Sequence, residues 1–296
     1  MTSKKTKLTL LVTGANGQLG MSLRELAPTV RHKFIFTDID ELDITSPEAV
    51  ETILNNEKPD WIINCAAYTA VDKAQSEEAK ARELNATAVK ILSQKSTELG
   101  ISLLHISTDY VFEGENPNPL KEDEPTNPQS IYGTTKLEGE GFAALNPKHI
   151  IIRTSWLYSA HGNNFVKTMQ SLGATRSEIS VVSDQWGSPT SADDLAKAII
   201  VATEKPKYGL YHFAGEGATS WALFAEEIFA LSGIDCIVKH ITTDEYPTDA
   251  KRPKFSLLDK HKFASTFAVT IPEWEASLEE VISKIELKGT SENSLK

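Results

Sequence analysis

Tyr132-Gly133-Thr134-Thr135-Lys136 sets a phenol and an ammonium four residues apart. On a helix that spacing puts both side chains on one face. A phenol with an ordinary pKa near 10 is a poor acid-base catalyst at neutral pH until a neighbouring cation favours its phenolate, a task Lys136 can perform. The pair alone arises often by chance. It gains meaning from Ser107-Thr108-Asp109-Tyr110-Val111-Phe112, which follows the apolar run LLHIS at 103–107. Open α/β sheets bind ligands at the carboxyl ends of their strands. A hydroxyl there, from Ser107 or Thr108, can hydrogen-bond a carbonyl oxygen together with the tyrosine while a hydride reaches the carbon.

A hydride needs a carrier, and Thr13-Gly14-Ala15-Asn16-Gly17-Gln18-Leu19-Gly20 offers it a seat. Gly14 allows a tight turn, Gly17 removes a side chain where backbone must approach a pyrophosphate, and Gly20 permits close packing of helix on strand. The helix that follows (MSLRELA) turns free N–H groups and its positive dipole end to the anion, so a chain of net charge -11 can still hold phosphates. Asp38, at the end of the run FIFTD, lies where a carboxylate can accept from the adenosine ribose. That would favour NADH, although a solvated loop carboxylate fits the same position.

Those residues require elements to hold them. Short apolar runs (LTLLV at 8–12, FIFTD at 34–38, WIINCAA at 61–67, LLHIS at 103–107, IIIRTSW at 150–156) alternate with helix-length amphipathic stretches. This rhythm predicts an α/β fold, a doubly wound parallel sheet (Rossmann) buried on both faces, with a smaller C-terminal substrate-binding lobe. The stretch SEEAKARELNATAVKILSQKSTELG reads as one helix ending at Gly100. Another opens at Ser191, whose hydroxyl can cap it, with Asp193 and Asp194 suiting the dipole. The predicted boundaries are 1–158 for the cofactor domain, with a returning segment at about 191–215, then 159–190 and 216–288 for the lobe, and a flexible tail at 289–296.

Composition narrows the partners. The acidic balance speaks against nucleic acid, no apolar stretch approaches the roughly 18 residues of a membrane span, and the run Leu8 to Val12 is too short for a signal-peptide core. Cys65 and Cys236, far apart and without CxxC spacing, fit a reducing cytoplasm. A cytoplasmic monomer or homodimer is expected.

The glycine spacing resembles the short-chain dehydrogenase/reductase superfamily, in which an acid and an apolar residue like Asp43-Ile44 flank the adenine. The chain as a whole is similar to the extended short-chain reductases and, more narrowly, to the dTDP-4-dehydrorhamnose reductases (the RmlD family). The likeness runs through GANGQLG (14–20), NCAAYTAVDKAQ (64–75), STDYVF (107–112), YGTTKLEGE (132–140), RTSWLY (153–158), GNNFVKTM (162–169), DQWGSPT (184–190) and KRPKFSLLD (251–259). By position, the resemblance implies Thr108, Tyr132 and Lys136 as the catalytic set. It implies that Gly14, Asn16, Gly17, Gln18, Leu19, Gly20, Ala66, Ala67 and Tyr68 line the cofactor, together with Asp38, Asp43, Ile44, Tyr132 and Lys136. Tyr110, Trp156, Asn164 and Arg252 would face a dTDP-sugar, with Trp156 an apolar wall for a deoxysugar and Arg252 a fork-shaped donor to a diphosphate.

The implied reaction is reduction of the C4 keto group of dTDP-4-dehydro-L-rhamnose by NADPH or NADH, the last step of dTDP-rhamnose biosynthesis. Some family members pair through Mg2+ held by acids, one just after the glycine loop. Here Ser22 stands at that place, with Asp193 the later acid, so the oxygen ligands a hard cation needs are incomplete and no metal is expected. Two rivals differ in class. An epimerase or dehydratase of the same fold returns the hydride to its substrate, but a dehydratase normally carries Asp-Glu after the strand-end threonine, where this chain has Asp109-Tyr110. A non-catalytic binding subunit, such as the reductase-like partner of methionine adenosyltransferase, would have no need of Thr108, Tyr132 and Lys136 together.

Overall fold

The structure is a computed structural model that describes residues 7–293, with side chains to Lys288. Six strands form one sheet: β1 (Thr9–Thr13), β2 (Lys33–Thr37), β3 (Trp61–Asn64), β4 (Ser102–Thr108), β5 (His149–Thr154) and β6 (Gly209–His212). Their order is β2-β1-β3-β4-β5-β6 and every pairing is parallel. The chain leaves β1 toward β2 and later crosses back to β3, so the order reverses beside β1. That switch point opens a crevice at the carboxyl ends of the strands.

The principal helices are α1 (Gln18–Leu26), α2 (Pro47–Glu57), α3 (Ala88–Glu98), α4 (Ile131–Ala143), α5 (Phe165–Gly173), α6 (Ala192–Glu204), α7 (Trp221–Ser232) and α8 (Trp274–Asn293). Side chains of β1 alternate between two apolar layers. Leu10 and Val12 join Leu19 and Leu23 of α1 and Leu195 and Ile199 of α6, whereas Leu11 joins Val50 and Leu54 of α2 and Val89 and Leu92 of α3. Both faces are therefore dry, which is why the strands read as unbroken apolar runs. Ser191 caps α6 by accepting from Asp193 N at 3.3 Å, with Asp193 and Asp194 in the first turn as expected.

A separate apolar core lies among the later elements of the chain. Tyr158 packs with Val166 and Met169 of α5, Phe224 and Ile228 of α7, and Trp274 and Leu278 of α8, beside a parallel pair formed by Glu178–Val182 and Ile237–Ile241. The helix α8 runs through 289–293, so that part of the expected tail is helical, and 294–296 lie outside the described residues.

The single helix expected between β3 and β4 is broken. Glu78–Arg82 is α-helical, Glu83–Thr87 forms a wide π turn, and α3 follows. Asn85 explains the widening, because its side chain is used across the fold. It accepts from Tyr68 N (2.8 Å) and donates to the Tyr68 carbonyl and Thr135 Oγ1 (both 3.1 Å). One residue pulled out of helical register in this way leaves a π bulge.

Candidate active site

The glycine loop ends β1 and starts α1. Gly14 sits at φ +65°, and a Cβ there would lie 2.6 Å from Ala66 N, so both its backbone angle and the approach of the β3 end exclude a side chain. A Cβ on Gly20 would lie 2.5 Å from the Ala15 Cα. Gly17, at φ -74°, is constrained by neither. It occupies the N-cap of α1, where no side chain satisfies the first N–H groups and no acid stands in the first turn. That is the cradle a pyrophosphate would fill.

At the end of β2, Asp38 Oδ2 accepts from Asn16 N (2.8 Å) and Oδ1 from Ile39 N (2.9 Å), which fixes the carboxylate beside the loop. Ile44, Ala66 and Ala67 join Gly14, Gly17, Gln18, Leu19 and Gly20 in lining a cleft of about 800 Å3. Three expected cofactor residues do not line it. Asn16 is exposed and contributes backbone. Asp43 is spent on its own turn, accepting from Thr45 N (2.8 Å) and Oγ1 (2.6 Å), which holds its carboxyl below the usual range. Tyr68 turns away to donate to Glu77 (2.9 Å).

The same cleft receives Thr108 from the last position of β4 and Tyr132 and Lys136 from the first turns of α4. Ser130 caps α4 by accepting from Gly133 N (3.1 Å). Gly133 lets the helix ride against the turn after β4, since a Cβ there would stand 2.2 Å from the Tyr110 carbonyl oxygen. Ser107 and Thr108 differ in their partners. Ser107 donates to Glu140 (2.5 Å), itself in a buried ion pair with Arg153 (2.7 Å), whereas the Thr108 hydroxyl faces the Tyr132 phenol. Burial raises that phenol well above its ordinary value, and the Thr108 hydroxyl partly offsets this.

Lys136 is held differently from the sequence expectation. Its Nζ donates to the Ile106 carbonyl (2.6 Å) and lies 3.4 Å from His105 Nε2. Burial lowers the ammonium to about 8, against the pull of Glu140. Behind it runs a buried polar chain that sequence reasoning missed. Thr13 Oγ1 donates to Asn64 Oδ1 (2.7 Å), and the Asn64 amide meets His105 Nδ1 (3.0 Å). Because Ala66 N also donates to Asn64 Oδ1 (3.2 Å), the amide nitrogen is assigned toward His105, which leaves the ring proton on Nε2. Burial keeps that imidazole neutral, its pKa well below the ordinary value.

On the lobe side, Trp156 adopts φ +48° and stacks on Trp221 with centroids 3.5 Å apart and planes 7° from parallel. Both line the cleft, and Trp221 was not foreseen. A tryptophan directly after the capping Ser220 is the one signal that marked it. Asn164 also lines the cleft, but its amide is committed to structure: it caps α5 by accepting from Lys167 N (3.2 Å) and donates to the Ser159 carbonyl (2.8 Å). Arg252 bridges Asp72 Oδ2 (2.6 Å) and the Tyr110 hydroxyl (3.2 Å) at the rim. Asp193, the acid weighed as a metal ligand, is paired with Lys284 (2.5 Å). A second cavity, of about 840 Å3, opens at the amino-terminal edge of the sheet near Asp60, Lys148 and Lys205, away from all of these groups.

A doubly wound sheet with a glycine loop at its switch point and Thr108, Tyr132 and Lys136 in one cleft defines an extended short-chain dehydrogenase/reductase. Residues 8–287 match the model of the RmlD substrate binding domain family. A dTDP-4-dehydrorhamnose reductase of Sinorhizobium fredii is 40% identical, over 95% of this chain and 98% of its own. Two crystal structures described as dTDP-4-dehydrorhamnose reductases superpose with TM-scores of 0.91. That from Clostridium acetobutylicum is 46% identical (94% of this chain, 100% of that one), and that from Bacillus anthracis, solved in complex with NADP, is 40% identical (94% and 99%). The chain belongs to the dTDP-4-dehydrorhamnose reductase family.

Proposed function

We propose that this protein reduces the C4 keto group of dTDP-4-dehydro-L-rhamnose to give dTDP-L-rhamnose, the last step of dTDP-rhamnose formation. The carrying observation is the convergence of Thr108, Tyr132 and Lys136 on the cleft that also holds the uncapped start of α1. A bound nicotinamide supplies the hydride. The chain's own residues do the rest. The N–H groups after Gly17 hold the cofactor's phosphates, and Asp38 takes a ribose hydroxyl. The stacked Trp156 and Trp221 give the deoxysugar an apolar wall, and Arg252 offers N–H donors to the diphosphate.

Thr108 donates to the keto oxygen, and Tyr132, a neutral phenol at working pH, gives its proton to the oxygen as negative charge develops there. Lys136 then stabilises the tyrosinate, which requires its ammonium to turn from the Ile106 carbonyl. The two cysteines are free, in keeping with a cytoplasmic enzyme, and among the described residues no helix is long and apolar enough to cross a membrane. The test is stoichiometry: incubation with NADPH and dTDP-4-dehydrorhamnose should consume one cofactor per dTDP-rhamnose formed. Conversion of the sugar without net loss of NADPH would instead mark an epimerase.

A further inference from the structure

One buried acid at this site has no task in that scheme. Asp109 directly follows Thr108, is 3% exposed and lines the cleft. Its Oδ1 lies 2.9 Å from Thr108 Oγ1, and its buried Oδ2 makes no hydrogen bond. The groups that face it are the Tyr110 phenol on its own turn, the Tyr132 phenol from α4, and the Ser256 hydroxyl, which is itself turned toward the Trp186 carbonyl (3.4 Å). The Arg252 guanidinium stops one residue short, on the Tyr110 hydroxyl. Burial pushes the Asp109 carboxyl up to about 7, against the opposing hydroxyl of Thr108.

A threonine hydroxyl has one proton to donate and two lone pairs to fill. Thr108 Oγ1 already accepts from Tyr110 N (3.2 Å). If Asp109 is ionised, the single proton of Thr108 goes to Oδ1 and none remains for a substrate. If Asp109 is protonated, its O–H fills the second lone pair of Oγ1, and the proton of Thr108 is free to point at Tyr132 and the keto oxygen.

We propose that Asp109 is a positioning residue whose protonated carboxyl turns the Thr108 hydroxyl toward the substrate oxygen, and whose ionisation turns it away. The idea rests on the reductase function proposed for this site. Asp109 keeps its proton through the cycle, and the proton transferred to product still comes from Tyr132.

The test is the pH dependence of kcat, at saturating NADPH and dTDP-4-dehydrorhamnose, for the native enzyme and Asp109→Asn. An amide donates to Oγ1 at every pH. The native kcat should fall about tenfold per pH unit above the Asp109 ionisation. In Asp109→Asn it should stay within a few-fold of native at about pH 6, with its descent displaced upward to the ionisation of Lys136 at about 8. An unmoved descent overturns the proposal, as does a loss of about 10²-fold or more at pH 6 with NADPH binding intact. A second readout needs neither turnover nor that variant. Infrared spectra of the native protein should show a buried protonated carboxyl at about pH 6 that is gone by about pH 9 and is displaced in Thr108→Val. A carboxylate at both pH values overturns the proposal even if the protein proved not to be a reductase.

Discussion

Lys136 of α4 and Ile106 of β4 are joined by a 2.6 Å hydrogen bond from the ammonium to the backbone carbonyl, so the cation faces the sheet rather than the Tyr132 phenol. Burial with one carbonyl and a neutral imidazole destabilises the charge, and the lysine loses its proton at about 8 instead of 10.5. Between those two values the unfolded chain binds the extra proton, so native stability contributed by this group rises with pH across that window and is flat below it. Lys136→Met, which cannot titrate, should therefore lose ground to the native protein in thermal unfolding as pH rises from about 8 to 10.5. A difference in Tm that is constant across that range would show that the ammonium is not depressed. The variant should also lower kcat by at least about tenfold and weaken NADPH binding.

Gly17 and Gly20 should separate binding from folding. A side chain at Gly17 meets only the Gly14 carbonyl oxygen at 3.3 Å, whereas one at Gly20 runs into Ala15 backbone at 2.5 Å. Gly17→Val should fold and lose dinucleotide affinity by about tenfold or more, the scale of one blocked phosphate contact. Gly20→Val should be unstable. Calorimetric titration with NADPH and thermal unfolding decide the matter, and undiminished affinity in Gly17→Val would show that the loop does not hold the phosphates.

Asp38 is anchored beside the loop by Asn16 N, and the Glu41 carboxylate accepts from Asp38 N (2.9 Å). Two acids at that point disfavour a ribose 2′-phosphate, so NADH should at least compete with NADPH. Asp38→Ala should shift the kcat/KM ratio toward NADPH by about tenfold, the worth of one charge contact. A strong NADPH preference that the substitution leaves unchanged would place this carboxylate elsewhere.

Much of the site was legible because sequence spacing carries it. Thr108, Tyr132 and Lys136 could be read from one strand end and one helix turn, and Gly14 from a turn that tolerates little else. What could not be read depends on tertiary partners. Ser107 and Thr108 are indistinguishable until Glu140 claims the former. Tyr68 and Asp43 sit in motifs that suggest contact with the cofactor, and their hydrogen bonds to Glu77 and Thr45 are not readable from those motifs. His105 and Asn64 read only as members of apolar strands, and their chain to Lys136 exists because β3 and β4 pair in register. Trp221 reaches the cleft from the lobe, a long way along the chain from Trp156, and no local pattern links the two.

In the proposed reaction Tyr132 delivers the proton that completes keto reduction. Tyr132→Phe removes only the hydroxyl, leaving the ring packed edge-on to Tyr110 with centroids 5.4 Å apart. Single-turnover oxidation of bound NADPH by dTDP-4-dehydrorhamnose should slow by about 10²-fold or more in this variant, the scale for losing a general acid, with the affinity for NADPH unchanged. A rate within a few-fold of native would mean that the proton comes from another group and that Tyr132 is not the acid.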